Sequence, residues 1–207
     1  MIIAYNFFFF LSLFMIFYVY AGYPLFIGLI ALLKNKKVDK KDYEPNVTIL
    51  IAAYNEADNI EATIKNKLVL DYPKDKLEII VISDGSTDGT DEIVKKYHLQ
   101  GVKLLRQEPR AGKTSALNRA VPDATGEILV FSDANSIYAP DSLRKLMQNF
   151  HDSEVGYATG KMVYTNPEGS TTGDGCTAYM KYEYFLRRVE TKAGSIVGVD
   201  GGIDAVR

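Results

Sequence analysis

Tryptophan is absent from the 207 residues, cysteine occurs once, at Cys176, and histidine twice, at His98 and His151. A lone thiol makes no internal disulfide, and two histidines so far apart in the chain supply no zinc cage. Both scarcities point to a thiol-poor, intracellular setting, with the histidines as helix-end or surface residues. No Gly-x-Gly-x-x-Gly follows the first strand-like run, which removes the dinucleotide fingerprint. A phosphate-binding P-loop needs a glycine five residues before Gly112-Lys113, and Gln107 stands there. What remains, 47% hydrophobic and 24% charged residues, is a globular composition that excludes a disordered tail or a collagen-like fibre.

Charge is missing altogether from Met1 to Leu33, and Phe7 to Ile30 is almost wholly apolar or aromatic. About 20 such residues cross a hydrocarbon core, so the run predicts one transmembrane helix over residues 1–33, with Gly22 and Pro24 as sites for a kink. A cleaved signal peptide is the alternative. It would want a basic leader, a shorter run and a better cleavage site than Tyr20-Ala21-Gly22-Tyr23.

Lys34, Lys36, Lys37, Lys40 and Lys41 follow in a linker over residues 34–46, which places that side of the helix in the cytoplasm and offers the lysines to anionic lipid heads. From Pro45 onward 19 basic residues face 23 acidic ones. That balance argues against nucleic acid as a partner, because such binding draws on clustered Lys and Arg.

The rest of the chain alternates strand and helix. Apolar, β-branched runs at Val47–Ala53, Glu78–Ser83, Val102–Leu105 and Glu127–Ser132 are separated by segments with helical spacing, first Ile60, Ile64 and Leu68, then Ile93, Val94 and Tyr97. A helix near Ser115–Ala120 precedes the fourth run, one opened by Pro140 and reaching about Phe150 follows it, and Val155–Tyr164 alternates like an outer strand. This pattern predicts a mainly parallel sheet with helices on both faces, binding its ligand beyond the carboxyl ends of the strands. Residues 166–175 read as a turn-rich loop. Tyr179, Tyr182, Leu186 and Val189 form a helical stripe that serves as core or as a face toward substrate or membrane.

Polar groups gather where the strands should end. Asp133-Ala134-Asn135 follows the fourth strand, and its two oxygen-bearing side chains can grip a hard cation that bridges phosphates, or simply cap a turn. Asp84 ends the second strand, where an ionised carboxylate accepts an imide N–H of a uracil ring or closes an Asx turn. Asp88 reads as a helix-start acid. Arg110 and Lys113, at a strand-to-helix turn on the same edge, would neutralise a diphosphate or stand as a solvated pair.

Ala53-Tyr54-Asn55-Glu56, Ser83 to Thr90, Gly112 to Asn118 and Asp133-Ala134-Asn135, in this order and spacing, resemble the family-two glycosyltransferases of the GT-A fold. With the preceding membrane helix, the resemblance is to the branch that builds polysaccharides. It implies an α/β, Rossmann-like GT-A domain over residues 47–207. It further implies a UDP-sugar donor, Mg2+ or Mn2+, and inverting transfer to the hydroxyl of a glycan or lipid-linked acceptor. On the matching positions, Ala53, Tyr54 and Glu56 would lie by the nucleoside, Asp84 would hold the uracil, and Lys113 would contact the uracil or the diphosphate, with Arg110 beside it as the second cation read from the turn itself. Asn118 falls in the third motif of the donor site, and Asp133 with Asn135 would bind the metal. Asn135 stands where many relatives carry a second acid.

In relatives the general base is a carboxylate that follows a segment like Gly198–Arg207, which leaves Asp200 and Asp204 as stand-in candidates here. The Gln-x-x-Arg-Trp motif of the processive enzymes is not found. The expectation is therefore the amino-terminal part of a longer enzyme, or a donor-binding module without transfer activity.

Overall fold

The computed structural model describes residues 2–161, 171–198 and 202–207. In chain order it contains α1 (Ile2–Phe17), α2 (Tyr23–Lys34), β1 (Val47–Ala53), α3 (Ile60–Leu68), β2 (Leu77–Asp84), α4 (Thr90–Lys95) and β3 (Val102–Gln107). Then come α5 (Lys113–Ala120), β4 (Ile128–Asp133), α6 (Ser142–Met147), β5 (Tyr157–Thr159), α7 (Thr171–Ala193) and β6 (Ile203–Val206). They fall into two compact units, residues 1–37 with 164–199, and residues 38–163 with 200–207.

In the first unit, α1 and α2 make one apolar rod of 33 residues, Ile2–Lys34, about 50 Å long at 1.5 Å per residue and thus longer than a bilayer core of about 30 Å. No described side chain of α1 is buried, and all but a few of them are apolar. Beside Gly22 and Pro24 the helix contains a π-helical turn, Tyr18–Gly22, where the Tyr23 N–H reaches back five residues to the Tyr18 carbonyl. Pro24, in the first turn of α2, has no N–H to donate, and the widened turn absorbs that loss.

Helix α7 packs on α2. Among the described side chains of α7, Arg187, Glu190 and Ala193 are buried; of the predicted stripe, Tyr179 is 59% exposed, whereas Tyr182, Leu186 and Val189 are half-buried and the Tyr182 hydroxyl donates to the Val19 carbonyl at 3.3 Å. The Glu190 carboxylate accepts from the Tyr23 hydroxyl at 2.5 Å and the Val197 N–H at 3.1 Å. The helix begins at Thr171, so the last five residues of the predicted loop are helical. The rest of that loop up to residue 170 lies outside the described residues, as do residues 162–164 of the predicted outer strand.

The second unit is a six-stranded sheet in the order β3-β2-β1-β4-β6-β5. β1 runs parallel to both β2 and β4, with Val47 opposite Leu77 and Ile128, and β3 is parallel to β2. β6 is antiparallel to β4 and to β5, which makes the sheet mixed.

Burial on both faces explains why β1 reads as a continuous apolar run rather than an alternation. Ile49, Ile51, Val81 and Val130 pack with Ile60 and Ile64 of α3 and Leu143 and Met147 of α6. Leu50, Ile80 and Ile82 pack on Ala116 and Ala120 of α5. Each fully buried Ile or Leu contributes about 1.5–3 kcal/mol.

The helix expected from Pro140 begins instead at Ser142 with Asp141 as its cap residue and continues as a 3-10 turn to His151. Strand β6 was not foreseen, because Gly201-Gly202-Ile203-Asp204-Ala205-Val206 carries too short an apolar pattern to be read alone.

Gly126 leads into β4, and its N–H donates to the Thr48 hydroxyl at 2.9 Å. A Cβ there would lie 2.4 Å from the Thr48 nitrogen. Gly126→Ala must push β4 from β1 and is expected to cost about 1–3 kcal/mol. A thermal melt unchanged from the parent would show that the two strands separate freely at that end.

Candidate active site

Sheet order reverses between β1 and β4, and in such sheets the binding crevice lies beyond the carboxyl ends of the strands at that point. An open cleft of about 280 Å3 sits there. Ala52, Ala53, Tyr54 and Glu56 line it from the end of β1, Asp84 from β2, and Asp133, Ala134 and Asn135 from β4. The turn between β3 and α5 contributes Arg110, Gly112 and Lys113.

Asp84 is the anchor of this edge. It is 3% exposed and in register with Gln107 at the end of β3. Its carboxylate accepts from Gln107 Nε2 at 2.7 Å, from the Ala111 N–H at 2.9 Å and from the Gly112 N–H at 2.8 Å. Burial by itself would raise the Asp84 carboxyl; the two backbone N–H groups, Gln107 and the Arg110 charge outweigh it and hold the group below the usual carboxylate range. Gly112 sits at φ +93°, ψ 162°, a region essentially reserved for glycine, and this turns its N–H toward Asp84. The Arg110 guanidinium lies 3.8 Å from the centre of the Tyr54 ring and 3.9 Å from an Asp84 oxygen.

The first loop is tied to the second. Asn55 N–H donates to Ser86 Oγ at 3.1 Å, Glu56 N–H to Thr90 Oγ1 at 2.9 Å, and Ala57 N–H to Asp88 at 2.9 Å. Asn55, at φ +53°, accepts the Thr87 N–H at 2.9 Å, a left-handed position that Asn tolerates. Asp88 is thus more than a helix-start acid. It caps Thr90 and braces Ala57, and these bonds, Thr90 first, keep its carboxyl low. Beneath the loop, Arg106 donates to the Ser86 carbonyl at 3.1 Å and pairs with the buried Asp91 of α4.

Asp133 carries a cation already: the Lys113 ammonium is ion-paired to it. Among the described residues no group of three or more His, Cys, Asp or Glu could cage a metal by itself. One carboxylate with one amide oxygen nevertheless fits Mg2+ or Mn2+, which keep waters and take further oxygens from substrate phosphates, and the bound ammonium marks Asp133 as a cation position.

Asn118 is exposed on α5 and does not line the cleft. Asp204, on β6, accepts from the Tyr157 hydroxyl and also lies off the cleft lining. Asp200 falls outside the described residues. Sequence reasoning passed over Gln107 as anything but a missing glycine, although its place at the end of a strand beside that of Asp84 was a usable signal.

Residues 48–202 match the family described as Glycosyl transferase family 2. A poly-beta-1,6-N-acetyl-D-glucosamine synthase of Staphylococcus aureus is 34% identical over an alignment of 203 residues that covers 95% of this chain and 48% of that protein. A beta-monoglucosyldiacylglycerol synthase of Nostoc is 32% identical, covering 79% of this chain and 36% of that protein. The chain thus spans about half the length, or less, of these curated relatives. Among solved structures, a mannosyltransferase from Pyrobaculum calidifontis in complex with GDP-Man and Mn2+ is 31% identical, with a TM-score of 0.73 over 91% of this chain and 53% of that one. A GT-A sheet, a cleft at its switch point and a family match across three quarters of its length place this chain in glycosyltransferase family 2.

Proposed function

We propose that this chain is the donor-binding portion of a membrane-anchored, inverting glycosyltransferase that takes a UDP-sugar with Mg2+ or Mn2+ and extends a glycan or lipid-linked acceptor in polysaccharide synthesis. Residues 1–33 are its anchor, 34–46 a linker whose lysines meet lipid heads at the cytoplasmic face, and 47–207 the glycosyltransferase domain. The observation that carries the reading is the convergence of Asp84, Arg110, Lys113, Asp133 and Asn135 on one cleft.

The Asp84 hydrogen bonds favour uracil. An ionised carboxylate offers about four lone-pair positions, and three are taken by Gln107, Ala111 and Gly112. The one left suits the single imide N–H of uracil better than the two parallel N–H groups of guanine. Tyr54, under the Arg110 guanidinium, supplies a flat face beside the base. The diphosphate lies at the N-terminus of α5, where Lys113 and Arg110 are at hand.

Asp133 and Asn135 would hold the divalent cation, which when bound neutralises charge developing on the leaving diphosphate. Transfer forms a bond between the acceptor oxygen and the anomeric carbon as the bond to the diphosphate breaks. Lys113 and Arg110 hold the departing charge where it appears. The acceptor proton passes to a base other than Asp84 or Asp133, since both are committed to N–H donors.

Calorimetric titration of the detergent-solubilised chain with UDP, then GDP, each with and without Mn2+, tests this. UDP is expected to bind at least about tenfold tighter than GDP, a difference of about 1.4 kcal/mol. GDP binding equally well or better would overturn the uracil assignment, and no heat with either nucleotide would overturn the reading as a whole.

A further inference from the structure

Lys67 is the largest side chain wholly enclosed in the second unit, and the proposed chemistry leaves it unused. Among the described residues its ammonium meets no carboxylate: its bonds run to the Ser136 carbonyl at 2.6 Å and the Asn66 amide oxygen at 3.3 Å, and it sits 3.3 Å above the Tyr138 ring. Burial lowers the Lys67 amine to about 7. So costly a placement on a core helix has to be offset by what the group holds.

What it holds is the stretch after β4. Thr63, one turn earlier on α3, donates to the Ala134 carbonyl at 2.6 Å. Asn66 clasps Tyr138 from both sides, donating to its carbonyl at 2.9 Å and accepting its N–H at 2.8 Å. The carbonyls of residues 134, 136 and 138 are thereby all bound by one face of α3, and Asp133 and Asn135 line the cleft. A loop free to turn would carry both oxygen ligands out of aim.

Resting on the functional reading above, we propose that Lys67 is a positioning residue: from inside the core it fixes the Asp133–Tyr138 backbone so that Asp133 and Asn135 present their oxygens to the nucleotide-bound divalent cation.

The test is Lys67→Met, which keeps the apolar stem and removes the donor. Amide hydrogen exchange without ligand is the first readout, and the Mn2+ dependence of UDP affinity the second. Exchange over residues 134–138 is expected to rise at least about tenfold while residues 84–90 stay as in the parent, since local opening follows local bonds. The Mn2+-dependent gain in UDP affinity is expected to fall about tenfold, less than the loss of a ligand itself because Lys67 acts through the backbone beside Asn135, with metal-free UDP affinity unchanged. Unchanged exchange at 134–138, faster exchange throughout the sheet, or a loosened loop with undiminished Mn2+ dependence would each overturn the proposal. Thr63→Val, a milder cut of the Ala134 tether, is expected to move both readouts the same way, and if Lys67→Met does not fold, an unmoved loop in Thr63→Val overturns the grip of α3 on which the proposal rests. If the parent binds no UDP, the functional reading fails with it, and the exchange data alone still decide whether Lys67 fixes the loop.

Discussion

Asp84→Ala is expected to lower UDP affinity at least about a hundredfold and to destabilise the sheet unit on the order of 3 kcal/mol. The carboxylate is the shared acceptor of Gln107, Ala111 and Gly112. Its removal strands three N–H donors, and each one left buried without a partner costs about 1–3 kcal/mol, reduced where water can enter from the open cleft. Against a net stability of about 5–15 kcal/mol this is a large fraction, corresponding to a melting temperature lower by roughly 6–12 °C.

The same residue shapes the acid limb. A carboxyl whose folded pKa is depressed contributes stability that is whole above its unfolded value, about 3.9 for Asp and 4.3 for Glu, and is lost as pH falls through the folded value. Asp84 belongs to this class. So does Glu78: burial pushes it up, but bonds from Lys103, Thr48 and Thr125 prevail and bring it to about 2. The parent should therefore lose stability progressively below about pH 4, and Asp84→Ala should lose it less steeply. Parallel slopes, together with parental UDP affinity, would remove Asp84 from its central place.

Asp133 and Lys113 should respond with opposite signs. Asp133→Ala deletes the carboxylate of the proposed cation pair, and Mn2+ should then cease to strengthen UDP binding, a loss of at least about a hundredfold or 2.8 kcal/mol. Lys113→Gln removes a cation that competes for the same carboxylate. The pair is half exposed, so its release is worth no more than about 1 kcal/mol, and Mn2+ alone should bind about fivefold tighter. UDP should bind more weakly in that variant, because the diphosphate loses a counter-charge. Free Mn2+ measured by electron paramagnetic resonance during titration separates the effects. Weaker Mn2+ binding in Lys113→Gln would mean that the lysine assists the metal instead of competing with it.

Much of this architecture was legible in the chain. The four parallel strands fall within about two residues of their apolar runs, because a strand covered on both faces has to be apolar at successive positions. The cleft residues were legible for a related reason: polar and acidic residues that break off such a run can only stand at its end. The antiparallel strand β6 was hidden, since four residues with one buried acid carry no period. Lys67 was hidden more deeply, as a lysine among apolar positions of a helix reads as a solvated face.

The amino-acid sequence by itself determined the four parallel strands and the helices between them, the membrane-length apolar rod and the identity of the groups at the strand ends, since these follow from local pattern and from covalent order. Only the tertiary structure decided which of those groups meet: that Gln107, Ala111 and Gly112 all turn to Asp84, that Lys113 sits on Asp133, and that α3 grips the loop after β4. Such pairings join residues 20 or more positions apart, and hydrogen-bond geometry over that span is set by sheet register and helix packing, which no window of the chain contains.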